Sequence, residues 1–543
     1  SLIKLILVVI IMLRNNIAII GGGIAGGLSA LKLAEKNEDV HVFLFESNQE
    51  LFDATSNATP CRPSLGAHYP NFETGELSLE TTCDLVLSYK DHNGFLIGLD
   101  DNSKSDFNHY RYCDYVVAKN SVYSKEYVEK MLKNLQNKYE KIVEKKPEIK
   151  KFFGEPKNFY TELDPRNYPT ALNKNSTLAV FRIPEHIMDW PKYRQFLIDK
   201  LKRHSRITVL TSSKVANIES SYHQSNSFKK ENHVLEKYHV YLDDHIKPYP
   251  TQFDMIVNAT WCNIWGDVLD RSLFSSPNHS TEKECYRLKL MVEIETPETL
   301  KNTPHQFRCF GGEAGMAISF RNDGSAFVRC ERYTNVKQSS KKLDDDMINM
   351  LNGNNEKEQM KIAQKILDEV NNEYSGIKNA KIKSVRTGIV INKNHVDIYA
   401  KGGSHEKRNF TGVMTESPTY ITNQAMKHIY GNKNSNKVLI VYKFFDNLKK
   451  FSEEQFKNVE CQKEIGKIIC YASCYELKGR KMVNIDSEEK YFNSLFQAIK
   501  ETMTNQSKVV RQIKLIDSWS KFFLLSPKSN DDKDRTENNQ CSM

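Results

Sequence analysis

One stretch near the amino terminus constrains the fold more than any other. Residues 17–20, Ile-Ala-Ile-Ile, have the length and β-branched composition of a buried parallel strand, and GGGIAGG follows without a gap. SALKLAEKN then shows helical spacing, with Leu28, Leu31, Ala30 and Ala34 placed to pack on a sheet, and VHVFLFE (40–46) reads as a second strand. Residues 16–45 therefore read as strand, turn, helix and strand, the minimal half of a dinucleotide-binding fold. Gly21, Gly23 and Gly26 spell G-x-G-x-x-G between the first strand and the helix. The first glycine permits the tight turn, the second lets backbone approach a pyrophosphate, and the third lets helix and strand pack closely. Ile24 and Ala25 open the helix, whose unpaired N–H groups and positive dipole end suit a phosphate. Glu46 closes the second strand 20 residues after Gly26, where a carboxylate accepts hydrogen bonds from ribose hydroxyls and disfavours a 2′-phosphate. The motif by itself leaves NAD and FAD both open.

The rest of the chain must then be divided. At 543 residues it is several times the size of one hydrophobic core, so two or three domains are expected. A hydrophobic fraction of 39% with 27% charged residues excludes collagenous and disordered classes. The net charge of +9 is spread along the chain, which favours anionic ligands and speaks against a nucleic-acid-binding arm or stripe. Eleven cysteines, an odd number without the paired short spacings of a zinc or redox site, fit a reducing, cytoplasmic setting with no metal. SLIKLILVVIIML at the start is too short to span a membrane, lacks a small-residue cleavage site and runs almost directly into the first strand. Met12 reads as a natural initiator, with a short apolar anchor as the competing reading.

Further elements follow the same logic. Residues 109–118 read as strand, and 124–146 as an amphipathic helix with Val128, Met131, Leu132, Leu135 and Tyr139 on one face. Asp189 is placed to cap a helix with Pro191 in its first turn, and strands follow at 207–211, 215–219, 239–242 and 253–261. Longer β segments at 288–296, 316–320 and 325–334, with turn signals between them, suggest a separate antiparallel sheet, followed by a helix near 358–373. The strand at 385–391 is expected to return to the dinucleotide domain. The boundaries are an apolar extension (1–15), dinucleotide segments at 16–95, 181–270 and 385–435, a mixed segment (96–180), a substrate domain (271–384), a helical extension (436–525) and a disordered tail (526–543).

At this point the chain resembles the D-amino acid oxidase family of FAD-dependent oxidoreductases. The resemblance rests on IAIIGGGIAGGLSALKLAE with Glu46, the loop SNATPCRPSLGAHYP, the helix and strands from 189 to 219, and FDMIVNAT, and it covers most of residues 16–430. It implies an α/β fold: a discontinuous Rossmann-like FAD-binding domain, an antiparallel substrate domain over the flavin, and here a helical C-terminal extension. Carried over by position, Ser56, Asn57, Ala58 and Thr59 would lie near the pyrophosphate and isoalloxazine. Val215 would meet the adenine through its backbone, and Ala259 and Thr260 would run along the cofactor. Trp261 stands where a small glycine is usual, and TGVMTESPTY (411–420) is the best substitute for the family's C-terminal Gly-rich turn against the flavin.

The reaction implied is oxidation of a C–N or C–O bond in a small amino acid, amine or 2-hydroxy acid by hydride transfer to flavin. His68 and Tyr69 are the leading polar pair, the histidine as general base, substrate hydrogen bond or flavin attachment point, or simply as a loop residue satisfied by backbone. An arginine fork is the usual clamp for a substrate carboxylate, with Arg386 the first choice and Arg329 and Arg332 next. A single dinucleotide fold sends electrons to oxygen, a quinone or a carrier protein. The stretch 507–525 suits peripheral membrane contact as well as core packing. The alternative is a flavin-fold binding or interaction protein with little or no turnover.

Overall fold

The structure, a computed structural model, describes residues 15–58, 62–88, 112–220, 237–243, 245–260, 284–301, 306–309, 315–321, 323–339, 343–393, 397, 413–417, 419–423 and 429–455. Thr59, Trp261, the first 14 residues, and everything after 455, including stretch 507–525 and the tail, lie outside them.

The amino-terminal unit forms as its pattern dictates: β1 (Asn15–Ile20), α1 (Ile24–Lys36) and β2 (Val40–Phe45). β1 is central in a six-stranded sheet, parallel to β2 on one side and to Met255–Asn258 on the other. Ile207–Leu210 extends the sheet beyond β2, and Tyr420–Asn423 beyond Met255–Asn258. The edge is Val413–Ser417, antiparallel to Tyr420–Asn423. TGVMTESPTY thus contributes to an edge hairpin of the sheet.

Alternation along β1 assigns its two faces. Ile17 and Ile19 join the helix-side core with Leu28, Leu31, Leu197 and Tyr442, whereas Ala18 and Ile20 pack against Phe45, Ile218, Tyr238 and Val240. The second cluster is capped by a two-stranded hairpin, Val215–Ser220 with Tyr238–Leu242. The helix Trp190–Arg203 starts as expected: the Asp189 side chain accepts from the Lys192 amide, with Pro191 in the first turn. Ser124 likewise caps Lys125–Lys145.

Residues 436–455 do not extend away from this fold. They belong to a helix, Tyr430–Gln455, whose Val438, Leu439, Val441, Tyr442 and Phe445 are buried in the helix-side core. Asn15 Nδ2 donates to Tyr442 Oη and Asp446 Oδ1, each at 2.9 Å, which locks this helix to the start of β1. The helix Phe72–Ser88 had no counterpart in the sequence reading. Its signal was Asn71, whose side chain accepts from the Thr74 amide at 2.9 Å.

The second sheet is larger and mixed. Glu284–Glu295 pairs antiparallel along its length with Ile382–Lys393, and on its other side with Ser325–Cys330 and Asn335–Ser339. Met316–Phe320, Gln306–Cys309, Cys113–Ala118, Thr177–Ile183 and Thr161–Glu162 complete it, the Gln306–Cys309 and Cys113–Ala118 pair being parallel. Two expectations are corrected here. The strand containing 385–391 belongs to this sheet, because its β-branched face finds an 11-position register with Glu284–Glu295. The segment 325–334 breaks at Cys330 into the helical turn Glu331–Thr334. One face of the sheet is apolar and covered by the helix Glu356–Glu373 through Ala363, Ile366, Leu367 and Val370. Burying four such side chains contributes about 1.5–3 kcal/mol for each of the larger ones.

Candidate functional site: a dinucleotide cradle facing a polar sheet

The glycine turn is closed around its own backbone. Gly21 sits at φ +105°, and a Cβ on it would lie 2.5 Å from the Ala259 carbonyl oxygen. A Cβ on Gly26 would lie 1.9 Å from the Gly21 carbonyl oxygen. Only hydrogen fits at either place. Gly23 is the N-cap of α1, has no capping side chain, and the first turn holds no acid, so the positive end of the helix is left to an incoming anion. Ser56 Oγ accepts from the Ile24 amide at 3.1 Å, bringing the Thr55–Asn57 turn over the helix start. Ala25 follows in the same turn and is buried.

Glu46 stands at the end of β2, where sequence placed it. Its Oε2 accepts from the Gly22 amide at 2.7 Å, and its Oε1 from the Asn48 amide at 2.8 Å and the Ser47 hydroxyl at 3.1 Å. Backbone donors thus hold the carboxylate, leaving lone pairs for ribose hydroxyls. The Ser213 amide donates to the Glu46 carbonyl, which puts Val215 beside this corner, although the Val215 side chain packs into the hairpin core. The Ala259 amide donates to the Ile20 carbonyl, and Thr260 turns onto the Asn258 side chain at 2.7 Å. Gly21, Gly23, Ile24, Ala25, Gly26, Glu46, Ser56, Ala259 and Thr260 therefore form one cradle.

Asn57 and Ala58 carry the cradle to the second sheet. The Asn57 carbonyl accepts from Arg386 Nη1 at 2.9 Å, and its side-chain oxygen accepts from the Trp190 indole at 3.1 Å. A Cβ on Gly388 would lie 3.5 Å from Ala58. Arg386 Nη2 lies 3.2 Å from Glu293 Oε2, and the guanidinium covers the Phe327 ring at 5.9 Å. Both arms of the fork expected to clamp a substrate are thus engaged by protein, and Arg386 acts as a tie between the two folds. Arg332 pairs with Glu369 at 3.4 Å, on the helical turn away from the cradle.

His68 and Tyr69 are adjacent in space as in sequence, with ring centroids 3.7 Å apart. His68 Nδ1 is 2.8 Å from Ser64 Oγ. Behind them lies a network that sequence reasoning missed. Glu185, fully buried, accepts from the Leu65 amide at 3.0 Å and the Tyr115 hydroxyl at 2.9 Å, and pairs with Arg62 Nε at 2.8 Å. Burial alone would lower the Arg62 pKa, but Glu185 and its neighbours carry it above the usual value. Burial pushes the Tyr115 hydroxyl well above its ordinary range, so it stays a donor. The one available signal was a carboxylate two residues after the apolar strand Thr177–Ile183, beyond Pro184. Arg62 and Ile24 line a common small cavity with Pro63, Met188, Tyr193 and Ile429, which joins this loop to the start of α1.

No protein-family model matches the chain, and no curated protein matches its sequence. Solved structures do match in fold. The L-α-glycerophosphate oxidase of Mycoplasma pneumoniae, solved reduced with FAD bound, aligns at TM-score 0.51 and 14% identity over 79% of this chain and 95% of its own. The L-amino acid deaminase of Proteus myxofaciens, in complex with anthranilate, aligns at TM-score 0.50 and 13% identity over 79% of this chain and 90% of its own. NikD, an amino acid oxidase of nikkomycin biosynthesis, aligns at 0.50 and 11% over 79% and 93%. The mixed α/β fold matches that of these FAD-binding oxidoreductases.

Proposed function

We propose that the chain is an FAD-dependent oxidoreductase that oxidises a C–N or C–O bond of a small anionic substrate, an amino acid, amine or 2-hydroxy acid. The observation that carries this reading is the glycine turn closed on Ala259 with Glu46 fixed at its side, which fits an adenosine diphosphate moiety. The helix start of α1 holds the pyrophosphate, Glu46 holds the ribose, and Ser56 orients the first turn. Bound FAD supplies the acceptor for the hydride that leaves the substrate carbon. His68, oriented by Ser64, takes the proton that leaves the substrate nitrogen or hydroxyl. The Arg62–Glu185–Tyr115 network fixes the loop that carries His68. The final electron acceptor would be oxygen, a quinone or a carrier protein. The buried free thiols Cys83, Cys113, Cys285, Cys309 and Cys330 support a reducing, cytoplasmic setting.

The test is the visible spectrum of the purified protein, repeated after acid precipitation. Flavin absorbance in the supernatant, bleached anaerobically by an amino acid or hydroxy acid, is the expected result; colour left in the pellet indicates covalent attachment, with His68 tested first. A colourless protein that takes up no added FAD overturns the proposal, and bound flavin that no substrate reduces leaves the binding-protein reading in its place.

A further inference from the structure

We infer that the second sheet sets how tightly the dinucleotide is held: its strand Ile382–Lys393 presses the turn Thr55–Ala58, a strap over the start of α1, into place through Arg386 and Gly388, which makes both of them cofactor-positioning residues. The identity of the cofactor as FAD rests on the oxidoreductase reading, whereas the strap stands on its own geometry.

The turn cannot fix its own place. No side chain of Thr55–Asn57 is buried, so it has no apolar anchor. Its internal bonds, from the Asn57 amide to the Ala54 carbonyl at 2.9 Å and from the Ala58 amide to the Thr55 carbonyl at 3.1 Å, set its shape only. Its position comes from two sides. On the dinucleotide side, Ser56 Oγ accepts from the Ile24 amide and the Trp190 indole donates to the Asn57 side chain, each at 3.1 Å. On the side of the second sheet, Arg386 Nη1 donates to the Asn57 carbonyl at 2.9 Å, and a Cβ on Gly388 would lie 3.5 Å from a carbon of both Thr55 and Ala58.

Arg386 is held as a strut. Its partner Glu293 also accepts from the Ser384 hydroxyl at 2.6 Å, and Phe327 lies under the guanidinium. Register sets Arg386 opposite Met291, inside the long ladder with Glu284–Glu295, so its backbone has little freedom to follow a moving turn. A side chain already ordered on these sides gives up less entropy for the bond to Asn57. Gly388, two residues on, shares the strand face of Arg386. A glycine inside a 12-residue strand marks the close approach of other chain, and here that chain is the strap. At the far side of the strap, a Cβ on Gly23 would lie 3.2 Å from Ser56 Oγ, so this hydroxyl stands over the glycine step by which a pyrophosphate reaches the helix start. A dinucleotide entering or leaving that step passes Ser56, and Ser56 moves only as far as Arg386 and Gly388 allow.

The experiment uses the full chain with its flavin content recorded first, and reads FAD release by rapid gel filtration after dilution, together with hydrogen exchange of the peptide spanning Thr55–Ala58 by mass spectrometry. Arg386→Lys keeps a charge for Glu293 but has no fork to span Glu293 and Asn57; Gly388→Val keeps every hydrogen bond and drives a branched side chain against Thr55 and Ala58. We expect each to release FAD about tenfold or more faster than the parent and to exchange faster in that peptide. Ser56→Ala should also speed release, and Arg386→Lys should add little in its background, because both act through one turn. Lys381→Gln, which breaks an exposed pair with Glu295 just before the same strand, is the control and should release FAD at the parent rate. A parental release rate in either strap variant, full additivity of Ser56→Ala with Arg386→Lys, or unchanged exchange in the strap peptide overturns the inference. Faster exchange in both variants of a protein that takes up no FAD supports the strap and refutes the oxidoreductase reading instead.

Discussion

Replacing Gly26 by alanine isolates the close approach on which the cradle depends. The new Cβ would start 1.9 Å from the Gly21 carbonyl oxygen and 3.2 Å from the Ile19 side chain. Helix and turn must separate by more than about 1 Å before the contact becomes even tight. Neither side can yield cheaply: the Gly21 amide is bound to the Phe45 carbonyl at 2.8 Å, and the Ala259 carbonyl presses on the other side of Gly21. Overpacking of this kind costs about 3 kcal/mol, at the upper end for one added methyl, which corresponds to a fall of roughly 6–12 °C for a domain of this size. The same shift opens the turn that receives the pyrophosphate, so FAD retention after gel filtration should fall further than stability does. Gly154→Ala is the control, since Gly154 sits at φ +79° with nothing within 4 Å of its Cβ direction. With ψ at −169° it lies in a region essentially reserved for glycine, so the change carries a backbone penalty of about 1–3 kcal/mol, but it is remote from the turn and should keep its flavin. A Gly26→Ala protein that melts with the parent and retains FAD would refute the argument that this glycine is required by contact.

Other substitutions probe the charged groups. Glu46→Gln turns an amide donor toward the Gly22 or Asn48 N–H, so the apoprotein should bind FAD about tenfold or more weakly in a fluorescence titration; an unchanged Kd removes Glu46 from the site. Glu185→Gln leaves Arg62 buried without its counter-charge and should cost about 3–5 kcal/mol in urea unfolding, with Arg62→Met in the same background restoring part of the loss. Glu331 would be raised by burial, but Lys289, Arg329 and Arg287 outweigh that and hold its carboxyl well below the usual range. Its stabilisation is therefore complete above the ordinary carboxylate pKa and lost as pH falls through the lower folded value. Glu331→Gln should be less stable at neutral pH, and its deficit against the parent should shrink in acid; a constant deficit argues against the ion cluster.

The amino-terminal unit was legible because every local signal in it agrees. Strand composition, glycine spacing, helical periodicity and a terminal acid all lie within about 30 residues, and each depends on near neighbours only. Capping at Asp189 and Ser124 was readable for the same reason. Pairing partners were not. Ile382–Lys393 has a strand's sequence whichever sheet it joins, and its place beside Glu284–Glu295 is set by a register some 100 residues away.

The sequence by itself determined the strands and helix of the amino-terminal unit, the dinucleotide turn and the acid that closes it, since these follow from backbone geometry and periodicity along a short span. Only the tertiary structure decided which charges are satisfied. It gave Arg386 to Glu293 and Asn57, Arg62 to Glu185, and left Arg308 buried over Ala317 without a partner. An arginine's role depends on the acids that folding brings within a few ångströms of it, and those come from segments far apart in the chain.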